Sequence, residues 1–152
     1  KDMMKKRMDC DFWGSINKDC LNKKGLIELF TYLKDNGYKI GICSSSPEAY
    51  VKTLLTDVSI ALPYDVMICG DKVKEKKPSP EIFLTAANIL NIKPENILVV
   101  EDSKNGIIAA TRAHMHHCFI FDTIKPDDEL KNMLEFEKDS MDEIIPLLES
   151  FK

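Results

Sequence analysis

Glu101 and Asp102 stand side by side at the end of an apolar run, Ile97-Leu98-Val99-Val100, and Ser103 follows them. Adjacent carboxylates repel each other, and burying either one unpaired is costly. A divalent cation relieves both problems, and Mg2+ favours carboxylate oxygens while keeping several waters. Two further groups follow apolar runs in the same way. Ser44 comes directly after Cys43, and Lys77 lies in the charged loop after Cys69-Gly70. A serine hydroxyl can donate to a non-bridging phosphate oxygen, helped by backbone N–H groups of its turn. A lysine neutralises phosphate charge. Together the four residues suit a phosphoryl group, whose transfer depends mainly on positioning and electrostatic stabilisation. The set lacks a nucleophile. Taken singly, each residue has a plainer reading: acids in a solvated loop, a turn serine, a loop lysine. Their meaning depends on whether the fold brings them together.

The elements that would do so are legible from Gly25 onward. Leu26, Leu29, Phe30 and Leu33 recur at helical spacing, and Gly37 marks the stop. Tyr38 to Cys43 reads as a buried strand. Ser46-Pro47-Glu48 opens a helix with a capping serine, a proline and an acid in the first turn. Tyr64 to Cys69 is a second strand, and Ser79-Pro80-Glu81 starts the helix carrying Ile82, Phe83 and Ala86. The third strand is Ile97 to Val100, with Ser103 capping a helix that runs to about Ala113. Cys118 to Phe121 is a fourth strand. Helices are predicted around Asp127 to Phe136 and Met141 to Phe151, with Pro146 as a kink. Strands alternating with helices imply an α/β fold with a parallel sheet flanked by helices. All carboxyl ends of such a sheet lie on one edge, where ligands bind. Residues 1 to 23 show weak helical character and no clear strand.

The chain has 152 residues, 44% hydrophobic and 30% charged, which suits a globular domain with a real core. Its net charge of -4 gives no general attraction to nucleic acid. No apolar run is long enough for a bilayer. The five cysteines form no CxxC pair, a pattern that fits a reducing compartment and hence the cytoplasm.

Three segments resemble motifs two, three and four of the haloacid-dehalogenase-like hydrolases, in that order. They are Tyr38-Lys39-Ile40-Gly41-Ile42-Cys43-Ser44-Ser45-Ser46, Lys77-Pro78-Ser79-Pro80-Glu81-Ile82-Phe83 and Val99-Val100-Glu101-Asp102-Ser103-Lys104-Asn105-Gly106-Ile107. The nearest subgroup is the β-phosphoglucomutase and phosphoglycolate-phosphatase type. The resemblance implies a Rossmann-like core and Mg2+-dependent phosphoryl transfer through an aspartyl-phosphate on a small phosphorylated metabolite, a sugar phosphate being favoured. It assigns phosphate binding to Ser44, charge neutralisation to Lys77, and metal binding to Asp102 with Glu101 adjacent. Ser45, next in the turn, joins Ser44 and Lys77 as a phosphate-binding candidate.

The first motif of that family, an apolar strand ending in DxDG, departs from the pattern. Asp9-Cys10-Asp11 follows Met4-Lys5-Lys6-Arg7-Met8, too charged for a central strand. Residues 1–23 are therefore expected to be the tail of a helical cap, and residues 24–152 the α/β core. On that view the sheet is incomplete at its N-terminus, lacks its central strand, and leaves a chain that is poorly stable or associates. The rival view takes Asp9 and Asp11 as a degenerate first motif. Three other readings compete. A receiver domain would place its acid pair early and its lysine last. A Zn2+ site at His114-Met115-His116-His117-Cys118 lacks a second ligand cluster, so His114 and His117 are expected in solvent. A non-catalytic binding remnant would use the basic run Lys72 to Lys77 for an acidic partner.

Overall fold

The computed structural model of the chain describes residues 11–14, 24–57, 63–120 and 125–151. Among these, six strands form one sheet in the order β3-β2-β1-β4-β5-β6, and every neighbouring pair is parallel. The strands are β1 (Asp11–Gly14), β2 (Lys39–Ser44), β3 (Val66–Cys69), β4 (Leu98–Glu101), β5 (His116–Ile120) and β6 (Phe136–Lys138). The helices between and after them are α1 (Leu26–Asp35), α2 (Glu48–Asp57), α3 (Glu81–Leu90), α4 (Lys104–Arg112), α5 (Asp128–Met133) and α6 (Ile144–Glu149).

Helices cover both faces, so the inner strands are buried on both sides and read as continuous apolar runs. Successive side chains of a strand point to opposite faces, and β4 shows this division. Leu98 and Val100 pack with Ile40, Cys118 and Ile120 against Leu29 and Leu33 of α1 and Ile144 and Leu148 of α6. Ile97 and Val99 pack on the other side with Ile82 and Phe83 of α3 and Ala109 and Ala110 of α4. The α2 helix adds Val51 against Ile42 and Cys69.

Two elements differ from the sequence expectation. The central slot of the sheet, expected to be empty, is filled by the chain's own Asp11–Gly14. Phe12 is in register with both Ile40 and Leu98, and Gly14 with Ile42 and Val100. A position between two buried strands satisfies backbone N–H and C=O groups on both sides, which outweighs the weak local pattern. The same register bears on Asp11, one of the two acids of the rival first motif. Asp11 pairs with Lys39, the first residue of β2, five positions before Ser44. At ~3.3 Å per residue that separates them by roughly 16 Å, so Asp11 lies toward the amino edge and cannot share a site with Ser44. Asp9 and the remaining stretches of 1–23 assigned to a cap tail lie outside the described residues.

The second difference is β6. The helix expected to reach Phe136 ends at Met133, and Leu134 is extended, with φ -70° and ψ 129°. Phe136–Lys138 then pairs with Cys118 to Ile120 as a short edge strand bearing two charged residues. Pro146 causes no kink, because α6 begins at Ile144 and the proline sits in its first turn, where N–H groups have no intrahelical partner.

Candidate active site

The parallel arrangement sends Ser44, the loop bearing Lys77, and Glu101-Asp102 to one edge of the sheet. Ser44 ends β2 opposite Cys69, and Glu101 ends β4 opposite Phe119. Ser44 is 1% exposed, and its Oγ accepts the N–H of Ser46 at 3.2 Å. That bond curls the chain into a turn, with Ser45 exposed at its crest. Gly70 supports the turn from β3. A Cβ there would stand 2.1 Å from the Ser45 carbonyl oxygen, so the close approach requires glycine. The N–H of Gly70 in turn donates to the carbonyl of Ser46 at 3.0 Å. The carboxylate of Asp71 accepts the N–H of Glu48 at 3.1 Å and satisfies one donor at the start of α2.

Lys77 is drawn inward. Its side chain is 4% exposed, and Nζ donates to Oε2 of Glu101 at 2.6 Å and to the carbonyl of Cys43 at 3.1 Å. The ammonium also stands 4.9 Å from the centre of the Phe83 ring, an attractive cation–π position. Its loop is tied down by Glu81, whose carboxylate accepts the N–H groups of Lys74 and Glu75 at 2.8 and 3.1 Å. The backbone of the basic run is thereby anchored to α3.

The two acids of the pair occupy different environments. Glu101 is on the same face of β4 as Val99, and its side chain is fully buried. Besides Lys77, its carboxylate accepts the Ser103 hydroxyl at 3.2 Å and the N–H of Asp102 at 3.3 Å. Gly106 closes the space around it, since a Cβ there would lie 2.1 Å from the Glu101 carboxyl carbon. Ser103 caps α4 as its sequence position predicts, accepting the N–H of Gly106 at 3.1 Å. Asp102 is half-buried at the rim. A cavity of about 340 Å³ opens there, lined among the described residues by Ser45, Lys77, Ser103, Lys104 and Asn105.

The structure thus brings Ser44, Ser45, Lys77, Glu101 and Asp102 to one edge. It adds Gly70, Gly106 and the Cys43 carbonyl, which sequence reasoning left out of the site. The glycines carry no chemical signal of their own, and a carbonyl has none. Burial raises the thiol of Cys43 strongly, so it is not a thiolate nucleophile.

The histidine cluster is organised otherwise. Contrary to expectation His117 is buried, 5% exposed, while His114 is exposed at a positive φ of 61°. His116 Nδ1 meets Glu135 at 2.8 Å. His117 Nε2 lies 3.0 Å from the Met133 carbonyl and 2.9 Å from the N–H of Glu135. These rings fasten β5 to the segment leading into β6. No group of three or more His, Cys, Asp or Glu among the described residues is placed to hold a metal, so nothing there supports the Zn2+ reading.

Comparison with known proteins agrees with this geometry. The model of a family described as haloacid dehalogenase-like hydrolase matches residues 3–120. A phosphorylated carbohydrates phosphatase of Thermotoga maritima is 35% identical over 95 residues, covering 62% of this chain and 44% of that protein. A phosphoglycolate phosphatase of Salmonella choleraesuis is 41% identical over 81 residues, covering 53% of this chain and 32% of that protein. The crystal structure of a β-phosphoglucomutase from Clostridium difficile superposes with a TM-score of 0.71 at 28% identity, covering 85% of this chain and 56% of that one. The chain therefore spans less than half the length of these two curated relatives.

Proposed function

The chain belongs to the haloacid dehalogenase-like hydrolases, and from that premise we propose that its rim is the phosphate- and metal-binding part of a phosphoryl-transfer site. The substrate is a small phosphorylated metabolite, a sugar phosphate being favoured. The observation that carries this reading is the buried ammonium of Lys77, fixed between Glu101 and the Cys43 carbonyl while lining the same cavity as Ser45 and Ser103.

In this reading each group has one task. Ser44 and the backbone N–H groups of its turn donate to non-bridging oxygens. Lys77 offsets the phosphate charge. Glu101 holds Lys77 and acts through it, since its carboxylate already accepts from Lys77, Ser103 and the backbone. Asp102 presents a carboxylate at the rim, and this oxygen donor fits Mg2+, which takes one or two carboxylates and fills its remaining positions with phosphate and water. When bound, Mg2+ supplies charge neutralisation and polarises the phosphoryl oxygens. The buried, unpaired cysteines Cys43, Cys69 and Cys118 support a cytoplasmic setting. Among the described residues no helix is long and apolar enough to cross a membrane.

A second reading, phosphate binding without turnover, is favoured by one specific observation. The family's aspartyl-phosphate route needs a carboxylate at the carboxyl end of the central strand. Here the one acid among the described residues of that strand, Asp11, stands at its amino end, opposite Lys39. Paired measurements of phosphate binding and of p-nitrophenyl phosphate hydrolysis, both with Mg2+, separate the cases. Binding with turnover supports phosphoryl transfer by this chain. Binding without turnover supports the second reading. Absence of both overturns the assignment of the rim.

A further inference from the structure

We propose that the solvent face of α3 is a docking surface for a second copy of this chain, the two helices meeting antiparallel about a two-fold axis near Asn88. The inference stands apart from the reading of the rim. Among the described residues, none lines both this face and the cavity bearing Lys77.

Every residue of α3 except Glu81, Thr85 and Asn88 is apolar. A helix apolar on all sides is ordinarily buried. Ile82, Phe83, Ala86 and Ala87 pack on the sheet, yet Leu84 is 40% and Ile89 58% exposed. α1, α2, α4 and α5 each carry a lysine or arginine; α3 has none, and Glu81 is its one ionisable residue. Single apolar residues on a surface need no partner. Here the shape of the surface adds to them. Leu84 and Asn88 line two grooves at once. One, of about 610 Å³, extends past the start of the helix to Glu75 and Pro80. The other, of about 500 Å³, extends past its end to Ile92 and Lys93.

The charges select the occupant. Glu75 and Glu81 line the first groove, and among the described residues no lysine does. The Glu81 carboxylate is taken up by the N–H groups of Lys74 and Glu75, which leaves Glu75 as the acid for a partner. Lys93 is the one ionisable residue lining the second groove among the described residues. Glu75 and Lys93 are both exposed, and neither enters an ion pair among the described residues. A two-fold axis between the grooves brings the acidic end of each copy to the basic end of the other. Such a patch is self-complementary, as a closed dimer requires. Asn88 then meets its own counterpart, and an amide has both donor and acceptor for a reciprocal pair. Antiparallel helices also set opposite dipole ends side by side. A ten-residue helix is ~15 Å long, so the patch is at the small end of interface sizes and the dimer is reversible.

The test is sedimentation equilibrium of the whole chain at low salt, from micromolar to millimolar concentration. The native chain should show a monomer–dimer equilibrium with a micromolar dissociation constant. Leu84→Lys should weaken it at least about tenfold, by placing an ammonium at the centre of the contact. Glu75→Lys and Lys93→Glu should each weaken it about fivefold, since each turns two attractive pairs into repulsive ones. The charge-swapped double variant should return to within about twofold of the native affinity. Ile27→Lys changes an apolar residue of α1 that is 44% exposed, and should leave the equilibrium unaltered. All these positions are exposed, and melting curves check that each variant folds. A chain that stays monomeric at millimolar concentration leaves the α3 face to a different protein and overturns the proposal. A dimer that survives Leu84→Lys, a dimer broken by Ile27→Lys, or a charge swap that fails to restore affinity overturns it as well.

Discussion

The ammonium of Lys77 stands 2.6 Å from Oε2 of Glu101, with both side chains withdrawn from solvent. A buried ion pair is broken at high cost when one partner is removed, because the other charge is left uncompensated. Lys77→Met and Glu101→Gln should each destabilise the chain by about 3–5 kcal/mol. The double variant should lose much less than the sum of the two. Urea denaturation of the four proteins measures this coupling, and additive losses would show that the pair is not a unit.

Glycines hold both sides of the cradle. Gly106→Ala would press a methyl group against the Glu101 carboxylate, and Gly70→Ala would press one against the Ser45 carbonyl. Each should cost about 1–3 kcal/mol of stability through overpacking. Each should also weaken phosphate binding, although neither residue touches the ligand. Gly37→Ala is the control. No atom lies within 4 Å of a Cβ built there, but its φ of +76° strains any other residue. That change should lower the melting temperature and leave phosphate affinity unaltered.

Acid should loosen the β5–β6 edge. Burial lowers the pKa of His117, against the opposing pull of the Met133 carbonyl and Glu135, while neighbouring His116 lowers it further. The unfolded chain therefore takes up this proton first as pH falls below about 6.5. Stability from a neutral His117 is full above that value and declines as pH drops toward the lowered one. The carboxylate of Glu135 is held below its usual range: burial raises it, but pairing with His116 and the His117 N–H outweigh that, so its own loss comes at lower pH. Melting temperature should fall between pH 7.5 and 5.5 (about neutral to about a unit below the free histidine value). The slope should shrink in His117→Gln, and an unchanged slope would place the acid sensitivity elsewhere.

Much of this was legible in the sequence, for a physical reason. Strands buried on both faces are runs of apolar residues, so Tyr38 to Cys43 and Ile97 to Val100 announced themselves and fixed the edge to which Ser44 and Asp102 are delivered. Asp11-Phe12-Trp13-Gly14 gave no such signal. Four residues with an acid at one end and glycine at the other carry too little pattern, and tertiary pairing on both sides decides their conformation. Phe136-Glu137-Lys138 was hidden differently, as a half-exposed edge strand continuous with helical spacing. The burial of His117 follows from its place in β5, which begins at His116, two residues before the expected start at Cys118. Which of Glu101 and Asp102 turns inward depends on strand phase. Val99 sets that phase, and reading it requires knowing the strand's last residue to the position.

The most direct test of the central claim is the affinity of the chain for inorganic phosphate, measured with and without millimolar Mg2+, in the native sequence and in Ser44→Ala, Lys77→Met and Asp102→Asn. A shared cradle predicts saturable one-to-one binding that Mg2+ strengthens at least about tenfold. It also predicts that Ser44→Ala and Lys77→Met weaken binding whether or not the metal is present, and that Asp102→Asn abolishes the Mg2+ effect alone. Phosphate binding that ignores Mg2+, or that survives loss of the Lys77 ammonium, would contradict it.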